Sequence, residues 1–224
     1  MKDLNKNKIP DLHLNIPTFN EDNFYQLCDE LAYRDAHLKM SISTYGYPPI
    51  FSRTPSFATL IHIILEQQVS LASAKAAFLK LQEKIGHILP AKLLLLSDEE
   101  MKACYFSRQK MKYARALAKA VYDNTLQIER LILYDDEEVR IKLKQIKGIG
   151  DWTANIFLMM ALHRCDCFPA GDIALLKSLK EVKMLSESFS KEEMLAVTED
   201  WKPYRTIAAF ILWHVYIKKR NIIL

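Results

Sequence analysis

The sequence predicts an all-α fold. Apolar residues recur three and four positions apart through most of the chain, strictly alternating Val-Ile-Thr runs are missing, and connections between periodic stretches are short. About ten helices are expected on that pattern.

Phe57, Leu60, Ile61, Ile64 and Leu65 line one face of a helix opened by Thr54-Pro55-Ser56, where a hydroxyl caps free N–H groups and proline presets the entry. In "SLASAKAAFLKLQEKI", Ala72, Ala76, Leu79 and Ile85 are expected to face the core, with Gly86 just past the helix end. Met111, Ala114, Leu117, Ala118 and Val121 form the next stripe, then Val139, Leu143 and Ile146, then Ala154, Phe157, Leu158 and Ala161. Further helices are expected at 173–185, 190–198 and 204–218. No period of roughly 20 to 50 residues recurs, which excludes a solenoid.

The chain has 224 residues, half of them hydrophobic and 26% charged, enough for a substantial core. No apolar run reaches the roughly 20 residues of a membrane span. The opening "MKDLNKNKIPDLHLNIP" has no apolar core like that of a secretory signal, so a cytoplasmic (nucleoid) or nuclear protein is expected, not a secreted one. Cys28, Cys104, Cys165 and Cys167 lack disulfide spacing and read as thiols, and His163 with Cys165 and Cys167 lacks the second half of a zinc site. The net charge of +4 includes basic clusters at 107–115, 142–147 and 217–220, a pattern shared by nucleic-acid surfaces and ordinary solvated helices.

One stretch stands apart. "KQIKGIGDWTANIF", residues 144–157, holds two of the chain's five glycines between two helical patterns. So short a turn needs positive φ, and Gly148 and Gly150 are expected as a helix C-cap and a second permissive position. The N–H groups around such a turn, with those opening the next helix, suit an anion such as phosphate. A helical corner that merely needs glycine carries the same signature.

"LKQIKGIGDWTANIFLMMAL" followed by "DCFPAGDIALLKSL" resembles the helix-hairpin-helix (HhH-GPD) DNA glycosylase superfamily. "FATLIHIILEQQVSLASAKAAFLKL" and "YFSRQKMKYARALAKAV" resemble its earlier helices, and "WKPYRTIAAFILWH" resembles its 3-methyladenine glycosylase II (AlkA-like) branch. These segments run in the expected order from about residue 30 to 218. The resemblance implies two helical lobes with an active-site cleft between them: 57–168, with the hairpin at 146–151, and 18–56 plus 169–224. It implies a monofunctional N-glycosylase that flips alkylated purines out of double-stranded DNA and leaves an abasic site. It further implies a monomer, no catalytic metal, and a structural monovalent cation of the kind relatives often hold on the hairpin carbonyls. The alternatives are a glycosylase for deaminated or mismatched bases and a damage-binding protein that does not cleave.

Residue by residue, the resemblance makes Asp172 catalytic. Breaking the bond from C1′ to a ring nitrogen builds oxocarbenium character, which a fixed negative charge stabilises. Asp172 also stands where a helix N-cap belongs, and the two roles are compatible. Trp152 occupies the place where bifunctional relatives carry a lysine nucleophile, and indole cannot form their Schiff base. With Trp213, Ile156 and Ile173 it is the expected base pocket, an aromatic face suiting a cationic alkylated base; core packing is the other reading of both tryptophans. Gln67 and Gln68 fall where relatives enter the minor groove beside the vacated site, capping of backbone groups being the other reading, and Ser70 is expected to bind DNA. Ser107, Arg108 and Lys110 fall at phosphate contacts, ordinary solvated surface being the stronger reading of these three, and Lys147, Gly148, Ile149, Gly150 and Thr153 are expected to bind DNA at the hairpin.

The chain also departs from the pattern. Lys147 replaces a common proline, Tyr105 a common glycine, and Ile156 and Ile173 replace aromatic pocket residues. No cysteine follows Cys167, which excludes the relatives' C-terminal four-cysteine iron–sulfur cluster.

Overall fold

Side-chain caps punctuate the chain. In a computed structural model describing residues 16–186 and 188–222, Ser or Asp accepts a backbone N–H at the start of α2 (Ala36–Tyr45), α3 (Phe57–Glu66), α4 (Leu71–Ile85), α6 (Asp98–Ala103), α7 (Arg108–Tyr122), α8 (Asp136–Lys144), α10 (Ile173–Lys183) and α11 (Lys191–Val197). Each cap satisfies a donor the helix cannot pair itself. Ser97 with Glu100, Asp135 with Glu138 and Ser190 with Glu193 close reciprocal boxes. The other helices are α1 (Phe24–Arg34), α5 (Pro90–Leu94), α9 (Asp151–Met160) and α12 (Arg205–Lys219), with 3-10 segments at Ile128–Leu133 and Thr198–Trp201.

The described residues thus hold more helices than the expected ten. The additions are short: α5, α6 and the 3-10 segments span four to six residues, less than two turns of periodicity. A second difference lies in α4. Ala72 and Ala76 are exposed and Leu79 is 53% exposed, while Ala74, Ala77 and Leu81 are buried. Its core face is the neighbouring row, because α3 packs against that side. The stripes read on α3, α7, α8 and α9 do face inward, with Val121 and Ile146 at the margin.

The packing falls into two groups. Helix α3 contacts α4, α7 and α9, and α7 contacts α5 and α6, while α8 and α9 form the hairpin pair. In the other group α12 packs on α1, α2 and α10, and α10 on α2 and α11. Nine residues of α12 are buried, so this helix is the centre of the second group. The chain crosses between the groups at 161–172, and that crossing is stapled. Thr206 donates its hydroxyl to the Arg164 carbonyl (2.7 Å) and accepts from the Cys167 N–H (3.0 Å), while Arg205 grips both oxygens of Asp166 at 2.8 and 2.9 Å. Asp172 follows directly, so its place rests on α12 as well as on its own helix.

Candidate functional site

The bend from α8 to α9 is built around Gly148, the position with φ +95°. A Cβ there would lie 2.0 Å from Cγ of Tyr113, so the ring of α7 fills the space that only glycine leaves. Gln67, at the end of α3, donates its side-chain amide to the Gly148 carbonyl and the Thr153 hydroxyl, both at 2.9 Å. Lys144 and Asp151 pair at 2.6 Å across the bend. Gly150 differs from expectation: it is the N-cap of α9 with φ −108° and ψ −172°, extended backbone open to any residue. Nothing lies within 4 Å of a Cβ built on it, so no contact inside the chain requires glycine there.

The bend leaves donors free. Among the described residues the N–H groups of Gly148, Gly150, Asp151, Trp152 and Thr153 meet no acceptor, and they cluster where the helix dipole is positive. Lys147 is exposed beside them.

Two residues into α9, Trp152 turns its indole N–H toward the loop after the crossing and donates to Oδ2 of Asp172 at 3.1 Å. Trp213 on α12 donates to Oδ1 at 3.3 Å, and the same oxygen caps α10 through the Leu175 N–H at 2.8 Å. A half-buried carboxylate therefore sits where the two helix groups meet, with an indole from each turned edge-on to it. Phe210 stacks on Trp213 with centroids 5.8 Å apart.

The other expected site residues divide. Ile173 is 83% exposed beside Asp172, but Ile156 is 2% exposed and packs into the core, because it lies on the side of α9 facing α3 and α8. Ile149 and Thr153 are buried, so at the bend they offer backbone rather than side chains. Of the glutamine pair only Gln68 projects, exposed at φ +58°; Gln67 is a brace for the bend. The Ser70 and Ser107 hydroxyls cap α4 and α7. Lys110 points inward, donating to the Leu65 carbonyl at 2.6 Å, and burial holds its ammonium below the usual lysine range. Arg108 is exposed and meets no acceptor among the described residues. Tyr113 and the Gln67 bracing were missed; a tyrosine one turn past Lys110 carries no sequence mark of contact with a distant glycine.

All four cysteines are buried thiols, and burial pushes Cys28, Cys165 and Cys167 up to about 12. His163 pairs with the Ser52 hydroxyl at 2.8 Å, and no metal-holding cluster occurs among the described residues. No helix among them is long and apolar enough to cross a membrane.

Comparisons with known proteins agree with this geometry. The model for the HhH-GPD superfamily base excision DNA repair proteins matches residues 61–203. DNA-3-methyladenine glycosylase 1 of Schizosaccharomyces pombe is 30% identical over 164 residues, covering 70% of this chain and 71% of that protein. The YfjP protein of Bacillus subtilis is 32% identical over 124 residues, 55% of this chain, and the match spans 43% of its length. The solved structure of S. pombe 3-methyladenine DNA glycosylase Mag1 in complex with abasic DNA aligns with a TM-score of 0.79 at 26% identity, over 87% of this chain and 97% of that one. With the bend, the carboxylate and the matched region coinciding, the chain belongs to the HhH-GPD superfamily of base excision DNA repair proteins.

Proposed function

We propose that this protein is a monofunctional DNA N-glycosylase that excises alkylated purines of the 3-methyladenine and 7-methylguanine type from duplex DNA and leaves an abasic site. One observation carries the reading: Asp172 is fixed by N–H donors at both oxygens, and Trp152, one of those donors, lies in the first turn of the helix whose free amides form the bend. The same short segment thus joins an anion grip to a negative charge. The relatives named for 3-methyladenine, and the Mag1 complex with abasic DNA, support the substrate class.

The bend's amides and Lys147 hold a strand phosphate. Arg108 and the exposed Gln68 meet the DNA nearby, Gln68 supporting the gap left by a nucleotide turned out of the stack. As the glycosidic bond lengthens, positive charge grows at C1′, and the ionised Asp172 stabilises it more than the neutral sugar of the ground state. A purine methylated at N3 or N7 is cationic, so it leaves readily and stacks favourably on an indole face. Water then captures the sugar, its proton passing to the carboxylate or to solvent. Trp152 stands where a nucleophilic amine would be needed for strand cleavage; its nitrogen lone pair belongs to the ring and its N–H is already donated. The neutral carbonyl oxygens of the bend, with Asp151 drawn off to Lys144, fit a monovalent cation that would stiffen the turn. The protein acts as a monomer.

The test is purified protein on methylated genomic DNA, with the free bases identified. Wild type releases 3-methyladenine and 7-methylguanine, Asp172→Asn releases neither while still binding duplex, and borohydride traps no covalent adduct. Release by Asp172→Asn at the wild-type rate would remove Asp172 from the chemistry, and a trapped adduct would overturn the monofunctional assignment.

A further inference from the structure

Adjoining the bend is a concavity of about 290 Å³, between the end of α7, the 3-10 segment Ile128–Leu133 and the last turn of α8. Most of its lining is polar. Its walls include Asn124, Gln127, Arg130, Tyr134, Lys142 and Gln145, and Ile146 carries its edge into the bend itself. Lys142 rests its ammonium 4.2 Å from the centre of the Tyr134 ring, which fixes the cation's position without neutralising it. Arg130 makes one hydrogen bond, to the side-chain oxygen of Gln127 at 3.3 Å.

Neither cation has a carboxylate partner among the described residues, whereas most of their basic neighbours do. Arg140 approaches Glu137, Lys144 takes Asp151, and Lys119 takes Asp123, the acid closest to the pocket along α7. Two like charges held in one polar hollow repel, and no carboxylate among the described residues pairs with either of them. The hollow, of about 290 Å³, has room for several water volumes. Amide donors on Gln127, Asn124 and Gln145 match the remaining oxygens of such an anion.

We propose that this pocket is a second anion site, with Arg130 and Lys142 as its charges, that takes a backbone phosphate of the same DNA beyond the one gripped by the Gly148–Gly150 bend. The inference rests on the DNA reading above, but it needs no catalysis. Continuity through Gln145 and Ile146, which line the hollow and lead directly into the bend, favours a phosphodiester of the bound strand over a free anion. Its contribution is sequence-independent affinity.

The experiment compares wild type with Arg130→Ala/Lys142→Ala, both exposed or half-exposed positions, on a long duplex and on one trimmed to a few base pairs around the lesion. Affinity is measured against salt. One lost phosphate contact makes the log–log slope shallower by about 1 on the long duplex, with no change on the trimmed one, and base release at saturating trimmed DNA stays at the wild-type rate. Lys142→Arg keeps the wild-type slope. Equal slopes for wild type and double variant on the long duplex overturn the proposal. Inorganic phosphate titrated alone supplies the other arm: binding at the pocket combined with unchanged DNA slopes assigns a free-anion site and also overturns it. Should wild type bind duplex but release no base, the catalytic reading falls while the slope comparison still decides this one.

Discussion

Asp172 performs two tasks with one carboxylate: Oδ1 closes the first turn of α10, and the two oxygens together receive indole N–H bonds from opposite helix groups. The capping role was legible in the sequence, since a polar residue before an apolar helical pattern is what a cap looks like. The indole bonds were not, because neither tryptophan's orientation follows from its position in a helix. Trp152 was expected as a stacking surface; in the structure its indole N–H donates to the carboxylate, and stacking by its face belongs to the proposed function. Replacing it with phenylalanine separates the two. A hydrogen bond to a charged group is worth about 1.5–3 kcal/mol, so Trp152→Phe should lower the single-turnover release rate about 10- to 100-fold with DNA affinity nearly unchanged. Trp152→Ala, losing face and edge together, should be slower still. Equal rates for wild type and Trp152→Phe would mean that the N–H does not position the carboxylate.

The hairpin shows at the scale of an element why its two glycines are not equivalent. Gly148 answers to the interior: φ +95° and the Tyr113 ring both forbid a Cβ. Gly148→Ala should therefore destabilise the fold by about 2–5 kcal/mol through backbone strain and overpacking, seen as a fall in the urea midpoint. Gly150 answers to nothing inside the chain, and Gly150→Ala should cost at most about 1 kcal/mol as a cap change yet weaken duplex binding by crowding the approach to the amides. A Gly150→Ala protein that binds as tightly as wild type would take the bend out of the DNA interface. Two glycines between helical patterns located the turn in the sequence, but only the resemblance of the flanking segments set it apart from an ordinary helical corner. The sequence reading misplaced the core face of α4, where the rows Ala72–Ala76–Leu79 and Ala74–Ala77–Leu81 are both apolar and alanines bury too little area to decide between them. Which row turns inward is fixed by α3, a partner that periodicity does not see. The short helices between 90 and 103 escaped for a related reason, since one turn shows no period.

At the scale of the whole molecule, the site depends on two helix groups keeping their register, and the second group has its own electrostatic lock far from the chemistry. Asp35 ends α1 and caps α2 through the N–H groups of His37 and Leu38, while its other oxygen takes the Trp201 indole at 2.7 Å and the Lys183 ammonium at 2.9 Å. One 8%-exposed carboxylate thus ties α2 to the end of α10 and to the 3-10 segment before α12. Burial by itself pushes this carboxyl up, but the hydrogen bonds from Lys183, Trp201 and the Leu38 N–H outweigh it and hold it below the ordinary 3.8. The sign of the linkage follows. A depressed folded value means that the unfolded chain binds the proton first, so the stabilisation is complete above about pH 5 and is lost as pH falls below 3.8 through the folded value. Asp35→Asn keeps a cap acceptor but leaves Lys183 without its partner, and should cost about 2–4 kcal/mol at pH 7. Because the variant has no such proton to take up, the gap in urea midpoint between it and wild type should narrow steadily as the titration is repeated from pH 5 toward pH 3. A gap that stays constant over that range would place the loss in packing around Trp201 rather than in the charge.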